Sequence, residues 1–284
     1  MNAAFAFLAL ALVKAAPLLF AALGGVVCER AGIVNIALEG ALTAGAFTAV
    51  ATSYATGSPL LGLIAGIAAG ALLCTLLGIA ATRFGIDQIV AGTGLNVFAA
   101  GATAFGLVIV FGAPGASPEV RAFGRTGESA LIIAALAAAL LLHAALQHTV
   151  WGLRLRSCGE NPHAVAAAGL DPRRIRTLAT AYGGALAGLG GVFLALGELD
   201  IYSDGMTAGR GFIALAAVIF GRWTALGAAA AALAFGALSA LQFSLQRTGV
   251  PSELMQALPY VAALAALAGF AGRARAPEAD GVPL

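Results

Sequence analysis

This sequence has little charge: Asp, Glu, Lys and Arg together make up 10% of its 284 residues. A soluble domain carries about 25%, so these side chains are too few to cover a water-facing surface. No GxxxxGK[ST] phosphate loop occurs, which excludes ATP hydrolysis by that route within this chain. There is no HExxH pair and no GxSxG elbow, and His143, His148 and His163 lack metal-ligand spacing. An enzyme would have no constellation of residues to work with. Cysteine is scarce as well. Cys28, Cys74 and Cys158 form no CxxC pair and read as small residues in or near helices, not as a disulfide or a metal site. The net charge of +2 gives no reason to expect a nucleic-acid partner.

What the chain has instead is apolar length. Hydrophobic residues make up 61%, and the mean hydropathy is +0.96. Apolar blocks run over 4–27, 36–56, 60–82, 88–111, 129–147, 177–197, 210–246 and 255–271, and about 20 such residues suffice to span a bilayer. The block 210–246 is interrupted at Gly221, Arg222 and Trp223, and reads as a short segment followed by a full span. The expectation is an all-α, polytopic transmembrane helix bundle in the lipid bilayer, a single domain over 1–284. It has eight to nine membrane segments, some of them broken or re-entrant. The 38 glycines and the many alanines suit helices that approach one another closely. The first block lacks a basic leader and a cleavage site followed by a soluble domain, so it reads as a retained membrane helix.

Positive residues are kept on the cytoplasmic side, and this orients the segments. Arg154, Arg156, Arg173, Arg174 and Arg176 place 148–176 in the cytoplasm. Glu198, Asp200 and Asp204 suit an outside loop, and Arg222, Arg273 and Arg275 return to the cytoplasm with the C-terminus. Counting back from 148–176 puts the N-terminus outside. A faint internal repeat is also visible. Leu23-Gly24-Gly25-Val26 recurs as Leu189-Gly190-Gly191-Val192, and the run from Glu39 to Gly45 resembles that from Asp204 to Gly209. Transporters are often built from duplicated halves.

Three stretches carry chemistry. From Gly24 to Gly40, two carboxylates, an arginine and an asparagine sit between apolar spans with almost no polar linker. Charges at membrane depth need a partner or a water-filled cavity. Glu29 and Arg30 also fit an interface, whereas Glu39 stands beside the start of a span and points to a gating or path-lining element. Asn35, Asn96 and Arg210 complete the candidate path set, with Arg210 either snorkelling to the interface or facing an interior cavity. In the basic loop, Asn161 is a good N-cap and Pro162 a good first helical residue. Alanines follow, and Gly169 suits the C-terminal cap before Asp171 and Pro172. The helix this implies, about two turns, is too short to stand alone in water. It needs a surface, either a groove on a partner protein or the lipid headgroups. The third stretch, Gly205 to Gly221, has too few apolar residues after its glycine-rich turn to cross unaided.

At these residues the sequence resembles a known family: the permease subunits of bacterial ATP-binding cassette importers for branched-chain amino acids, simple sugars and nucleosides. The likeness is greatest to the nucleoside permeases. It is carried by Gly24-Gly25-Val26 with the run from Glu29 to Gly40, by Gly159-Glu160-Asn161-Pro162-His163-Ala164 through Gly169-Leu170, and by Gly209-Arg210-Gly211-Phe212-Ile213-Ala214-Leu215-Ala216. It runs in order from about residue 15 to 270. The resemblance implies that Glu160, Asn161, Pro162, His163, Ala164, Ala167, Gly169 and Asp171 belong to a coupling helix that docks on an ATP-hydrolysing subunit. ATP and Mg would be bound by that subunit, with no cofactor in this chain. It further implies a second, related permease, an extracytoplasmic substrate-binding protein and a place in the bacterial inner membrane. An ion-coupled secondary transporter and a non-transporting membrane scaffold are the rival classes. The first requires an essential membrane carboxylate, for which Glu39 is the candidate.

Overall fold

The computed structural model describes residues 3–245, 261 and 275–282. Helices α1 (Ala3–Arg30), α2 (Leu38–Thr56), α3 (Pro59–Arg83), α4 (Gln88–Phe111) and α5 (Gly124–His148) are followed by a short pair, α6 (Val150–Glu160) and α7 (Pro162–Ala167). Then come α8 (Pro172–Val192), α9 (Arg210–Phe220) and α10 (Ala225–Leu245); α8 runs on as a π-helical stretch, Phe193–Leu199. No named strand occurs among the described residues, only an isolated bridge between Ala116 and Ser203.

Among the described residues, six helices are long and apolar enough to cross a membrane, which makes this a multi-pass membrane protein. They are fewer than the eight to nine expected segments for identifiable reasons. Although α2 has 19 residues, it carries Glu39 and a series of threonines, and α9 has only 11 residues. The expected last segment, 255–271, lies outside the described residues apart from position 261.

The bundle is organised around α8, which packs on α1, α2 and α3 through glycines. A Cβ on Gly24 of α1 would fall on the Gly183 carbonyl, and one on Gly70 of α3 on that of Gly184. Gly45 of α2 meets Gly188 in the same way. Lipid tails are as apolar as leucine, so membrane helices associate through close van der Waals packing, which small residues permit. By contrast α4 and α5 turn large side chains such as Phe98, Phe105, Ile109, Ile133 and Leu141 outward, as a lipid-facing surface does.

Candidate functional site

Between Arg30 and Leu38 the chain leaves the helix and turns back into the bundle. Gly32 makes the turn with φ +91°, a conformation that side chains with a Cβ avoid. Leu38 then lies level with Gly25 of α1, about one and a half helical turns inside the end of that helix. Irregular backbone at this depth persists only if its polar groups are satisfied within the protein, and several here are held by side chains from elsewhere in the bundle. The Val34 N–H donates to Gln88 Oε1 at 2.7 Å and the Gly40 N–H to Asn96 Oδ1 at 2.7 Å. Asn96 Nδ2 donates to the Ile36 carbonyl at 3.0 Å, and Arg176 Nε to that of Ala31 at 3.0 Å. Asn35, fully buried, turns its amide towards Cys28 Sγ and Cys74 Sγ at 3.3 and 3.4 Å.

Glu39, in the first turn of α2, reaches across to the first turn of α9. Its Oε1 accepts from the Gly209 N–H at 2.9 Å and its Oε2 from the Gly211 N–H at 2.6 Å. The N-cap of α9, Gly209, has no side chain to offer, so a carboxylate from a distant part of the chain satisfies these donors and faces the positive end of the helix. Thr43 and Thr207 meet beside it at 3.2 Å. The Arg210 guanidinium folds back on its own turn, donating to the carbonyls of Met206 at 2.8 Å and Thr207 at 3.2 Å. Glu39, Asn96 and Arg210 therefore converge on the first turns of α2 and α9. Glu29 does not join them. Buried at the end of α1, it accepts from the Trp223 indole N–H at 2.5 Å, while Arg30 Nε donates to the Trp223 carbonyl at 2.7 Å.

The short helix α7 forms as its caps require. Asn161 Oδ1 accepts from the Ala164 N–H at 3.0 Å, and Pro162 takes the first position. At the other end Gly169 has φ +80°, with its N–H on the Ala166 carbonyl and that of Leu170 on the Val165 carbonyl, the two bonds of a Schellman closure. Asp171 caps α8 through the N–H groups of Arg173 and Arg174. Val165 and Pro162 are buried against the bundle, while His163, Ala164, Ala166 and Ala167 face outward. The seat for α7 is tight: a Cβ on Gly159 would strike the Arg30 carbonyl, and Glu160 pairs with Arg30 at 3.9 Å.

The family model for branched-chain amino acid transport system permease components matches residues 7–267. The chain belongs to this permease family. It is 38% identical to the guanosine ABC transporter permease protein NupQ of Bacillus subtilis, over 96% of this chain and 94% of that one. It is 36% identical to the nucleoside ABC transporter permease protein NupC of Lactococcus lactis, over 95% and 94%. A second Bacillus subtilis protein, the guanosine ABC transporter permease protein NupP, is 30% identical over 80% of this chain and 71% of its own length. No solved structure matches the chain.

Several residues of this permease escape a linear reading. Lys14 of α1 forms an ion pair with Glu198 of the π-helical stretch and sits 4.2 Å over the Phe243 ring. A charge inside a span signals that a partner exists, but not which of the distant carboxylates it is. Arg176 reads as one more basic loop residue, yet it is almost fully buried. Besides Ala31, it donates to the carbonyls of Ala279 at 2.9 Å and Val282 at 2.7 Å. The segment 275–282 is thus held against the α7 end of the bundle, where the Ala279 N–H also donates to the Gly159 carbonyl at 2.9 Å. Burial pushes the Asp280 carboxyl up to about 7, against the opposing pull of the Arg176 guanidinium and the Gly281 N–H.

Proposed function

We propose that the chain is the membrane-spanning permease subunit of an ATP-binding cassette importer that takes up nucleosides across a bacterial inner membrane. The observation that carries this reading is α7, a six-residue helix capped at both ends, anchored on the bundle and presenting an outward alanine face. It stands where the family resemblance expects the contact with the ATP-hydrolysing subunit. The substrate class follows from the nucleoside and guanosine permeases at 36 and 38% identity. A second, related permease is supported by the similarity of this chain to both NupQ and NupP of one organism. A binding protein outside the membrane delivers the substrate.

In this reading the α7 end is cytoplasmic. The C-terminal segment is then cytoplasmic too, and α1, which ends beside α7, begins outside. The two members of the repeat are α1 with α2 and α8 with α9. Each is a long helix with Leu-Gly-Gly-Val followed by a break and a shorter helix, and α1 and α8 run in opposite directions. Counting α2 and α9 with the six long helices brings the spanning or re-entrant elements among the described residues to eight. When ATP draws the partner subunits together, α7 moves with them. Gly159, Glu160 and Arg176 link that movement to Arg30 and Ala31, hence to the broken segment and the Glu39 contact between α2 and α9. Glu29, Asn35, Glu39, Asn96 and Arg210 belong to this gate.

Substituting Ala164 and Ala166 with aspartate tests the assignment, because both are exposed and neither side chain packs in the bundle. ATP-dependent uptake of labelled guanosine into membrane vesicles is expected to fall to background while the permease remains inserted at normal abundance. Unchanged uptake would refute the coupling role. Glucose and leucine as alternative substrates test the nucleoside assignment, and uptake without ATP would hand the case to a secondary transporter.

A further inference from the structure

Helices α6 and α7 and the end of α1 enclose a cleft of about 680 Å³ whose walls combine three arginines with apolar side chains. Arg30, Arg154 and Arg156 contribute the cations, Ser157 and Asn161 polar groups, and Val150, Leu153 and Leu170 much of the apolar wall. The one acid on the wall is Glu160, more than half exposed and set 3.9 Å from Arg30. Arg154 and Arg156 take part in no salt bridge among the described residues. Arg156 Nε is moreover buried with no hydrogen-bond partner. Buried donors are ordinarily satisfied, so this one marks a place for an acceptor. The like charges of Arg30 and Arg156 also oppose each other, and an anion between them would relieve that.

Two further features set the depth of the cleft. Trp151 of α6 packs edge-on to Tyr182 of α8, ring centroids 6.0 Å apart, the kind of aromatic pair found at membrane–water interfaces. Val150 and Leu153 point outward from the same helix, 63 and 57% exposed, while its opposite face, Gly152, Leu155 and Cys158, is buried. An amphipathic helix of this form lies at headgroup level.

We infer that this cleft binds the phosphate headgroup of an anionic phospholipid, with Arg154 and Arg156 as its principal ligands and Val150 and Leu153 against the start of an acyl chain. A soluble carboxylate or an acidic protein segment would satisfy the arginines but leave those apolar residues in water; a lipid satisfies both. The consequence, that a lipid sits beside the coupling helix and borders its Ala164 face, rests on the permease reading. The binding itself does not.

The full chain, purified in mild detergent with mixed phosphatidylglycerol and phosphatidylcholine, is examined by native mass spectrometry. Wild type is expected to retain phosphatidylglycerol over phosphatidylcholine. Arg154→Gln with Arg156→Gln should lower that retention about tenfold, the scale of losing one or two charge-assisted contacts. Arg173→Gln with Arg174→Gln, outside the cleft, should leave it unchanged, and Arg154→Lys with Arg156→Lys should recover most of it. Equal retention by the Gln pair and wild type, with thermal unfolding unaltered, would overturn the inference. So would displacement of the lipid by millimolar inorganic phosphate, which would mark a site for free anions. Loss of ATPase co-purification with lipid retention intact would make the cleft a protein contact instead. Because retention is read on this chain alone, failure of the importer assignment leaves the result standing.

Discussion

The contribution of Glu39 to the proposed gate separates into two measurable parts. Its two oxygens take the Gly209 and Gly211 N–H groups, and helix-capping contacts of this kind are worth about 1–2 kcal/mol. Glu39→Ala leaves both donors without this partner, and the thermal unfolding of the detergent-solubilised permease should record a loss of about that size. Glu39→Gln keeps one acceptor and removes the charge, so it should lose less stability while still impairing uptake. A second residue reports on pH. The folded-state pKa of Asp280 lies near 7, above the ordinary carboxyl value of 3.8. Below about pH 4 the group is protonated whether the 275–282 segment is docked or released, and docking carries no penalty from it. As pH rises from there towards 7 the released state gives up its proton first, so docking weakens across that window and levels off above it. Asp280→Asn should flatten the dependence, read as the rate of amide exchange at Ala279 between pH 5 and 8.

At the scale of elements, the seam along α8 has no slack. A Cβ on Gly184 would meet the Gly70 carbonyl and the Cys74 side chain, so Gly184→Val must push α3 and α8 apart. Overpacking of this sort costs about 1–3 kcal/mol; the variant should express poorly and unfold earlier on heating, whereas Gly94→Val on α4, where a Cβ meets nothing within 4 Å, should be neutral. The elements also show what a linear reading reaches. The caps of α7 were legible because Asn161, Pro162 and Gly169 act on backbone groups within a few residues of themselves. The break before α2 was legible because charge and glycine inside apolar sequence demand an explanation. The π-helical stretch at Phe193–Leu199 carries no local signal, and Arg210 could not be placed, since its acceptors depend on how one glycine-rich turn closes. The polar staples Gln88 and Trp223 were missed for a related reason: each is an ordinary residue made important by a partner 54 and 194 positions away.

For the whole molecule, Arg176 is where three separated parts of the chain meet. One guanidinium holds the turn after α1 through Ala31 and the C-terminal segment through Ala279 and Val282, and it does so from the first turns of α8. Gly159, on the shoulder of α7, accepts from Ala279 and so joins the same knot. Replacing Arg176 by leucine would leave three carbonyls without this donor at once, a loss of about 3 kcal/mol or more. Lysine cannot repair it, because a single ammonium on a flexible stem does not reproduce a planar fork with donors in three directions. The expected result is a protein that still inserts but whose 275–282 segment becomes readily cleaved by added protease, with Arg176→Lys intermediate between wild type and Arg176→Leu. If coupling runs through this knot, the leucine variant in the assembled importer should also hydrolyse ATP with little uptake. Unaltered cleavage of the tail in Arg176→Leu would mean that the Ala279 contact to Gly159 and that of the Glu278 N–H to Glu160 suffice to hold it, and that any coupling through the proposed route runs by Arg30 alone.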